Sequence, residues 1–177
     1  MTDANNGLAE VFGNLGLFNK SGARFSGDSK YRYTLFRERA EGSGTVNFIM
    51  LNPSTADAQA NDPTVERCQR RAWAMGYKRL VVTNIFALRS TDPKNLYSEV
   101  DPVGLDNDYW LVQVALTSDK VVCAWGSHGN YRDRGGLVER MLREQHIDLW
   151  QLRLTKKGEP SHPLYIPYNE EPKPWIL

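Results

Sequence analysis

The stretch Phe48-Ile49-Met50-Leu51-Asn52-Pro53-Ser54-Thr55-Ala56-Asp57 decides the fold. An apolar run stops abruptly at a polar turn. Such a run, bounded by turn residues, reads as a buried strand. The ring of Pro53 disfavours helical backbone at the residue before it, so Asn52 is extended or in a turn. Asn52 is therefore presented at the carboxyl end of a buried strand. In open α/β sheets that is where ligands sit. The competing reading is an ordinary strand-ending turn.

Upstream, the strand opens from about Thr45, after a turn at Glu41-Gly42-Ser43-Gly44. Before that turn, Tyr31 to Arg37 alternates and is rich in aromatics, which predicts a half-buried strand. The two strands together suggest a hairpin. Residues 1–30 carry Gly, Asn and Ser with scattered apolar anchors (Leu8, Val11, Phe12, Leu15, Leu17, Phe18) and read as an irregular arm.

Downstream, Asn61-Asp62-Pro63 starts a helix, with Asp62 as cap and Pro63 at the first helical position. Val65, Cys68, Ala72 and Met75 recur at helical spacing, and Gly76 ends the helix. Arg67, Arg70 and Arg71 read as a solvated face. Lys78 to Phe86 is a second buried strand, ending near Thr83-Asn84. Residues 87–103 read as a loop with a short helix. Leu105, Tyr109, Val112 and Leu116 mark the next amphipathic helix. Lys120 to Trp125 is a third strand, broken by Gly126 to Gly129. A helix from about Arg134 to Gln145 and a strand from Asp148 to Leu154 follow. A proline-held loop then carries His162, and the tail is read as extended.

The alternation of strands and helices from Thr45 onward predicts an α/β three-layer sandwich with a mainly parallel, four-stranded central sheet. An N-terminal antiparallel strand or hairpin adds to it. At 177 residues the chain suits one domain, 1–177, with an arm (1–30), a core (31–166) and a tail (167–177). The net charge of +1 gives no strong nucleic-acid field, so local patches would have to do such work. The two cysteines, Cys68 and Cys123, fall in apolar surroundings and read as buried thiols. No stretch approaches the length of a membrane span and no signal-peptide pattern opens the chain, so a cytoplasmic protein without a membrane partner is expected.

Asn52, Asn84, the Trp125–Gly129 turn and the His162 loop all follow strand ends that a parallel sheet aligns along one edge. The asparagines offer amide donors and acceptors, and His162 offers a ring donor. Neither a P-loop nor a dinucleotide fingerprint is present. His128 and His162 lack partners at zinc-ligand spacing, so no metal is expected. Ser54 has no triad base beside it, and of nucleophile and turn serine it reads as the turn serine. Trp125 reads as core.

Five stretches together resemble the bacterial and phage family catalogued as domain-of-unknown-function 1643. They are Phe48–Asp57, Asp62-Pro63-Thr64, Thr83–Ala87, Ala124-Trp125-Gly126 and His162-Pro163-Leu164-Tyr165. More distantly, the order of motifs resembles the uracil-DNA glycosylase superfamily. Leu51-Asn52-Pro53-Ser54 is similar to the first motif of the mismatch-specific uracil/thymine enzymes, where an asparagine before a proline positions the attacking water. Val82-Thr83-Asn84 is similar to the strand whose asparagine reads the flipped base. Val121–Gly126 resembles the later apolar strand that ends in glycine. His162-Pro163 resembles the last motif, where a histidine stabilises the departing base.

That resemblance implies a monofunctional base-excision hydrolase of DNA repair, acting on uracil or another altered base in DNA. It implies catalytic roles for Asn52 and His162 and base recognition by Asn84, with Ser54 a further base contact and no cofactor beyond water. Phe86, or Tyr31 or Tyr33, is an expected stacking partner for the base, and Leu164 or Tyr165 is expected to fill the vacated stack. Arg132, Arg134, Lys156 and Lys157 are expected phosphate contacts. The water-activating aspartate of the most active uracil enzymes is missing at the first motif, and the last motif reads His-Pro-Leu-Tyr rather than His-Pro-Ser. Two rivals follow: a binder of a base, nucleotide or modified DNA that does not cleave it, and an enzyme on small nucleotides.

Overall fold

The computed structural model describes residues 21–176, so the arm's apolar anchors from Leu8 to Phe18 lie outside the described residues. Among these residues there are seven strands, β1 (Ser21–Phe25), β2 (Arg32–Glu38), β3 (Ser43–Met50), β4 (Tyr77–Asn84), β5 (Lys120–Cys123), β6 (Leu149–Gln151) and β7 (Lys173–Pro174). They form one sheet in the order β1-β2-β4-β3-β5-β6-β7. The pairs β4–β3, β3–β5 and β5–β6 are parallel, whereas β1–β2, β2–β4 and β6–β7 are antiparallel. Among the described residues the α-helices are α1 (Pro63–Ala74), the short α2 (Asn95–Ser98), α3 (Asn107–Leu116) and α4 (Arg134–Glu144).

Pleating of β3 splits its side chains between two cores. Val46, Phe48 and Met50 pack with Val65, Cys68 and Ala72 of α1. Ile49 and Leu51 pack with Leu111 and Ala115 of α3 and Val138 and Leu142 of α4. The sheet is thus covered on both faces, which is why its central strands read as unbroken apolar runs. Each Ile, Leu or Phe buried there contributes about 1.5–3 kcal/mol. The start of α1 follows its local signals: the Asp62 carboxylate accepts from the Val65 N–H at 2.8 Å, and Pro63 stands where no N–H is needed.

Several expectations are corrected. The sheet is mixed and seven-stranded, not mainly parallel and four-stranded, although the four expected parallel strands lie side by side at its centre. The strands β2 and β3 do not form a hairpin. β4 inserts between them, and the N-terminal hairpin is β1–β2 instead. This gives the buried β3 a parallel partner on each side. The irregular arm therefore includes a strand, and the tail contributes β7 and a buried Trp175 packed 5.7 Å from the Trp125 ring.

The inward face of α3 also differs. Asn107, Trp110, Leu111, Val114 and Ala115 are buried, while Leu105 is 93% exposed and Tyr109 and Leu116 face outward. This segment is apolar almost all round, so spacing alone does not choose a face. The choice is made by Asn107, whose amide donates to the Asn84 and Ile85 carbonyls at 2.9 and 3.1 Å.

The arginines of α1 are not a uniformly solvated face. Arg71 is buried and donates to the carbonyls of Ile166, Pro167 and Glu170 at 2.7–2.8 Å. Arg67 donates to the carbonyls of Pro163 and Ile166. Together they clamp the segment after His162 onto α1. Only Arg70 stays outside, paired with Glu66 one turn away.

Candidate functional site

The chain leaves β3 toward the face covered by α1 and leaves β5 toward the face covered by α4. Adjacent strands whose connections part in this way open a crevice at their carboxyl ends. Asn52 and Pro53 stand on one side of it and Gly126 on the other. The Asn52 amide nitrogen donates to the Ser90 carbonyl at 2.9 Å, to the Pro53 carbonyl at 3.1 Å and, more weakly, to the Leu88 carbonyl. It ties the loop after β4 to the loop after β3. With the nitrogen engaged, Oδ1 is the atom left to act, and it can only accept.

Asn84 ends β4 beside Met50 and is buried. Its Oδ1 accepts a long contact of 3.5 Å from Arg32, and its nitrogen makes no hydrogen bond among the described residues. Arg32 is 2% exposed. Its Nη1 donates to the Ala56 carbonyl at 2.7 Å, while its Nε has no partner. Burial lowers the guanidinium to about 10; Asp62 opposes the shift, and Arg89 and Arg37 add to it. Arg32 still carries its charge at neutral pH. Together with Arg37, which donates to the Asp57 and Ala60 carbonyls at 2.7 and 3.0 Å, it holds the polar loop after the Asn-Pro turn.

His162 reaches the same edge from the far side. Gly126, at φ 75°, would place a Cβ 3.3 Å from the His162 Cβ, and its N–H donates to the Pro160 carbonyl at 2.7 Å. The glycine thus serves both a left-handed turn and a close approach. Burial lowers His162 to about 4, with the charge of Asp62 opposing. The ring is neutral at physiological pH. Its Nδ1 accepts from the Leu164 N–H at 3.3 Å, which leaves the hydrogen on Nε2. This sheet edge therefore carries a neutral Nε2–H donor at His162, an amide donor at Asn84 and an acceptor at Asn52. Asp62 reaches both His162 and Arg32 with its field, but one of its oxygens is occupied as the cap of α1.

The other sequence-derived candidates fall in different places. Phe86 is 0% exposed, in the core against Tyr131, so stacking on a ligand would require it to leave its packing. Arg134 is buried, donates from Nε to the Ile85 carbonyl at 2.7 Å and pairs with Asp108. It braces the strand end from within. Lys156 and Lys157 lie on an exposed turn closed by the Gly158 N–H donating to Thr155. Arg132 is exposed, with its guanidinium on the Val100 carbonyl at 3.2 Å and over the Tyr131 ring. Leu164 is half-buried, and Tyr165 is 79% exposed, 5.9 Å from the His162 ring. Ser54 lines an open cleft of about 500 Å³ with Ser29, Lys30, Arg89, Ser90 and Asn95.

Three side chains that order this end of the sheet escape a reading of the sequence. Arg32 looks like one polar position of an alternating strand. Arg89 sits in what reads as a featureless loop. Glu159 accepts the Trp125 indole N–H at 2.6 Å, which fixes the tryptophan in the core beneath Gly129. Each depends on a partner distant in the chain. Among the described residues, no group of three His, Cys, Asp or Glu side chains is placed to hold a metal ion, and no helix is long and apolar enough to cross a membrane.

Residues 32–164 match the family described as Protein of unknown function (DUF1643). The match covers most of the chain, and the chain belongs to that family. No curated protein and no solved structure matches it.

Proposed function

We propose that this DUF1643 protein recognises an altered base in DNA and hydrolyses its N-glycosidic bond. The reading rests on the order of motifs along one sheet edge. The observation that carries it is the neutral His162 ring with its hydrogen on Nε2.

Hydrolysis of this bond leaves a sugar with cationic character and a base that gains negative charge. A fixed donor aimed at that charge is worth about 3–4 kcal/mol in analogous sites. A neutral imidazole can give this hydrogen bond and still remain a donor across the physiological range. Asn84 has a free amide hydrogen for a carbonyl on the edge of an extruded base. Asn52 Oδ1 can accept a hydrogen from the attacking water. The water oxygen bonds to the sugar carbon as the carbon–nitrogen bond breaks, the electron pair leaves with the base, and the proton of the water is shed to solvent. No cofactor is required.

Oligonucleotides carrying uracil, mismatched thymine or modified pyrimidines, treated with the protein and then with alkali, test the reading. Strand breaks at the altered base are expected, and His162→Gln should slow them about 100-fold or more. Folded protein that yields no abasic product from any of these substrates would sink it.

A second reading is a binder that does not cleave. It is favoured by the state of the two carboxylates near Asn52. Asp57 accepts from the N–H groups of its own turn, and Asp62 caps α1. Saturable binding of the altered strand without abasic product identifies this case.

A further inference from the structure

The loop from Leu88 to Asp101 hangs from the carboxyl end of β4 and bears two features that the hydrolytic site does not use. On one side is the open cleft that Ser54, Arg89 and Lys30 line. Its lining is entirely neutral-polar or cationic, with no carboxylate. Arg89 is exposed at this cleft. Its Nη1 donates to the Ser29 carbonyl at 3.0 Å and its guanidinium lies 4.9 Å from the centre of the Phe25 ring. No ion pair engages it among the described residues. The rest of its planar fork is open, in the geometry that suits phosphate oxygens. The hydroxyls of Ser29 and Ser54 make no hydrogen bond among the described residues, and Lys30 is shared with Glu99 at 3.1 Å.

On the other side is an aromatic ledge. Tyr97 follows the cleft residue Asn95 by two positions on α2, which puts the two side chains on different sides of that single turn. Tyr97 is 46% exposed, its hydroxyl lies 2.7 Å from His128 Nδ1, and its ring meets Tyr131 edge-on at 4.4 Å. Tyr131 rests on the buried Phe86, so the ledge is anchored in the core. Behind it, Arg132 and Asp133 both hold left-handed backbone, at φ 54° and 52°. Non-glycine residues pay for such a conformation, and it collects at functional surfaces.

We propose that this loop seats an unpaired strand of nucleic acid, with phosphate oxygens in the Arg89 cleft and a base on the Tyr97–His128 ledge. The proposal rests on the nucleic-acid half of the functional reading and not on bond cleavage. An unpaired strand fits better than a duplex for two reasons. Aromatic rings reach base faces only where bases are unstacked. A protein of net charge +1, with one guanidinium in the cleft outside any ion pair among the described residues, is a weak match for the charge of two strands.

Fluorescence anisotropy with a labelled oligothymidylate, across a salt series, tests this. The single strand should bind more tightly than a duplex of equal length, and inorganic phosphate at matched ionic strength should not displace it. Arg89→Gln should flatten the salt slope by about 0.7. Tyr97→Ala should weaken binding about 10-fold with the slope unchanged, and Tyr97→Phe should restore it. Circular dichroism of each variant controls for folding. Equal affinity for duplex, displacement by inorganic phosphate as an adventitious anion would be, or indifference to both substitutions would overturn the seat. Tight single-strand binding without abasic product leaves the seat standing and sinks only cleavage. Cleavage with unaltered binding in both variants does the reverse.

Discussion

The charge state of His162 sets a pH signature. Its ring is lowered to about 4 by burial, against an ordinary value near 6.5, so the unfolded chain takes up the proton first. This contribution to stability is complete above pH 6.5. It is lost as the pH falls toward 4 and then levels off. The loss is on the order of 3 kcal/mol, read as a drop in the urea midpoint between neutral pH and pH 4. In His162→Gln that part of the drop should vanish. An unchanged pH profile in the variant would show that the ring is not held neutral. At this scale the sequence is readable where the signal is local. Asp62 caps and Pro63 begins α1 as their order suggests, and Trp125 is core. Arg32 is not readable, because its burial is decided by a loop some twenty residues further on, whose Ala56 carbonyl accepts from its guanidinium.

Among elements, α1 does more than cover the sheet. Arg71 supplies hydrogen bonds to three carbonyls of the segment that follows His162. Arg71→Met keeps the apolar stem but removes those three bonds, leaving the Glu170 carbonyl without its donor while Ile166 keeps Arg67 and Pro167 keeps the Glu170 N–H. It should destabilise the protein by at least about 3 kcal/mol, given that bonds to charged donors are worth about 1.5–3 kcal/mol each. Hydrogen exchange should show residues 164–171 opening before the central strands do. Protection there equal to the wild type would remove the clamp from the account. The clamp is invisible in the sequence, since arginines spaced along a helix have the same pattern whether they meet water or backbone. The face of α3 is hidden for a related reason: a segment apolar all round has no preferred side until Asn107 finds the Asn84 and Ile85 carbonyls.

The whole sheet is a parallel centre closed on both flanks by antiparallel strands. The centre is legible, because each buried strand is a continuous apolar run. The outermost strands are not. β1 lies in a stretch that reads as an irregular arm, and β7 has two residues, one of them a proline, so neither carries a recognisable strand pattern. What holds β7 is tertiary: Trp175 lies against Trp125, its N–H donates to the Leu149 carbonyl at 2.8 Å, and Arg143 binds its carbonyl. Trp175→Ala should cost about 3–5 kcal/mol and should expose the outer edge of β6 to association with other copies. Urea unfolding and light scattering read the two effects, and neither appearing would make β7 dispensable.

The attachment of the segment after His162 also has a solvent chemistry of its own. The groups that bind its carbonyls are guanidiniums, and dissolved guanidinium ion is the same ligand in free form. Guanidinium chloride well below its global midpoint should compete for those carbonyls and release the segment in a separate early step. Urea adjusted to the same overall denaturing strength should not, because it brings no cation to the exchange. The two denaturants would then give different shapes of transition for one protein, and the difference would localise to the side of the crevice that carries His162.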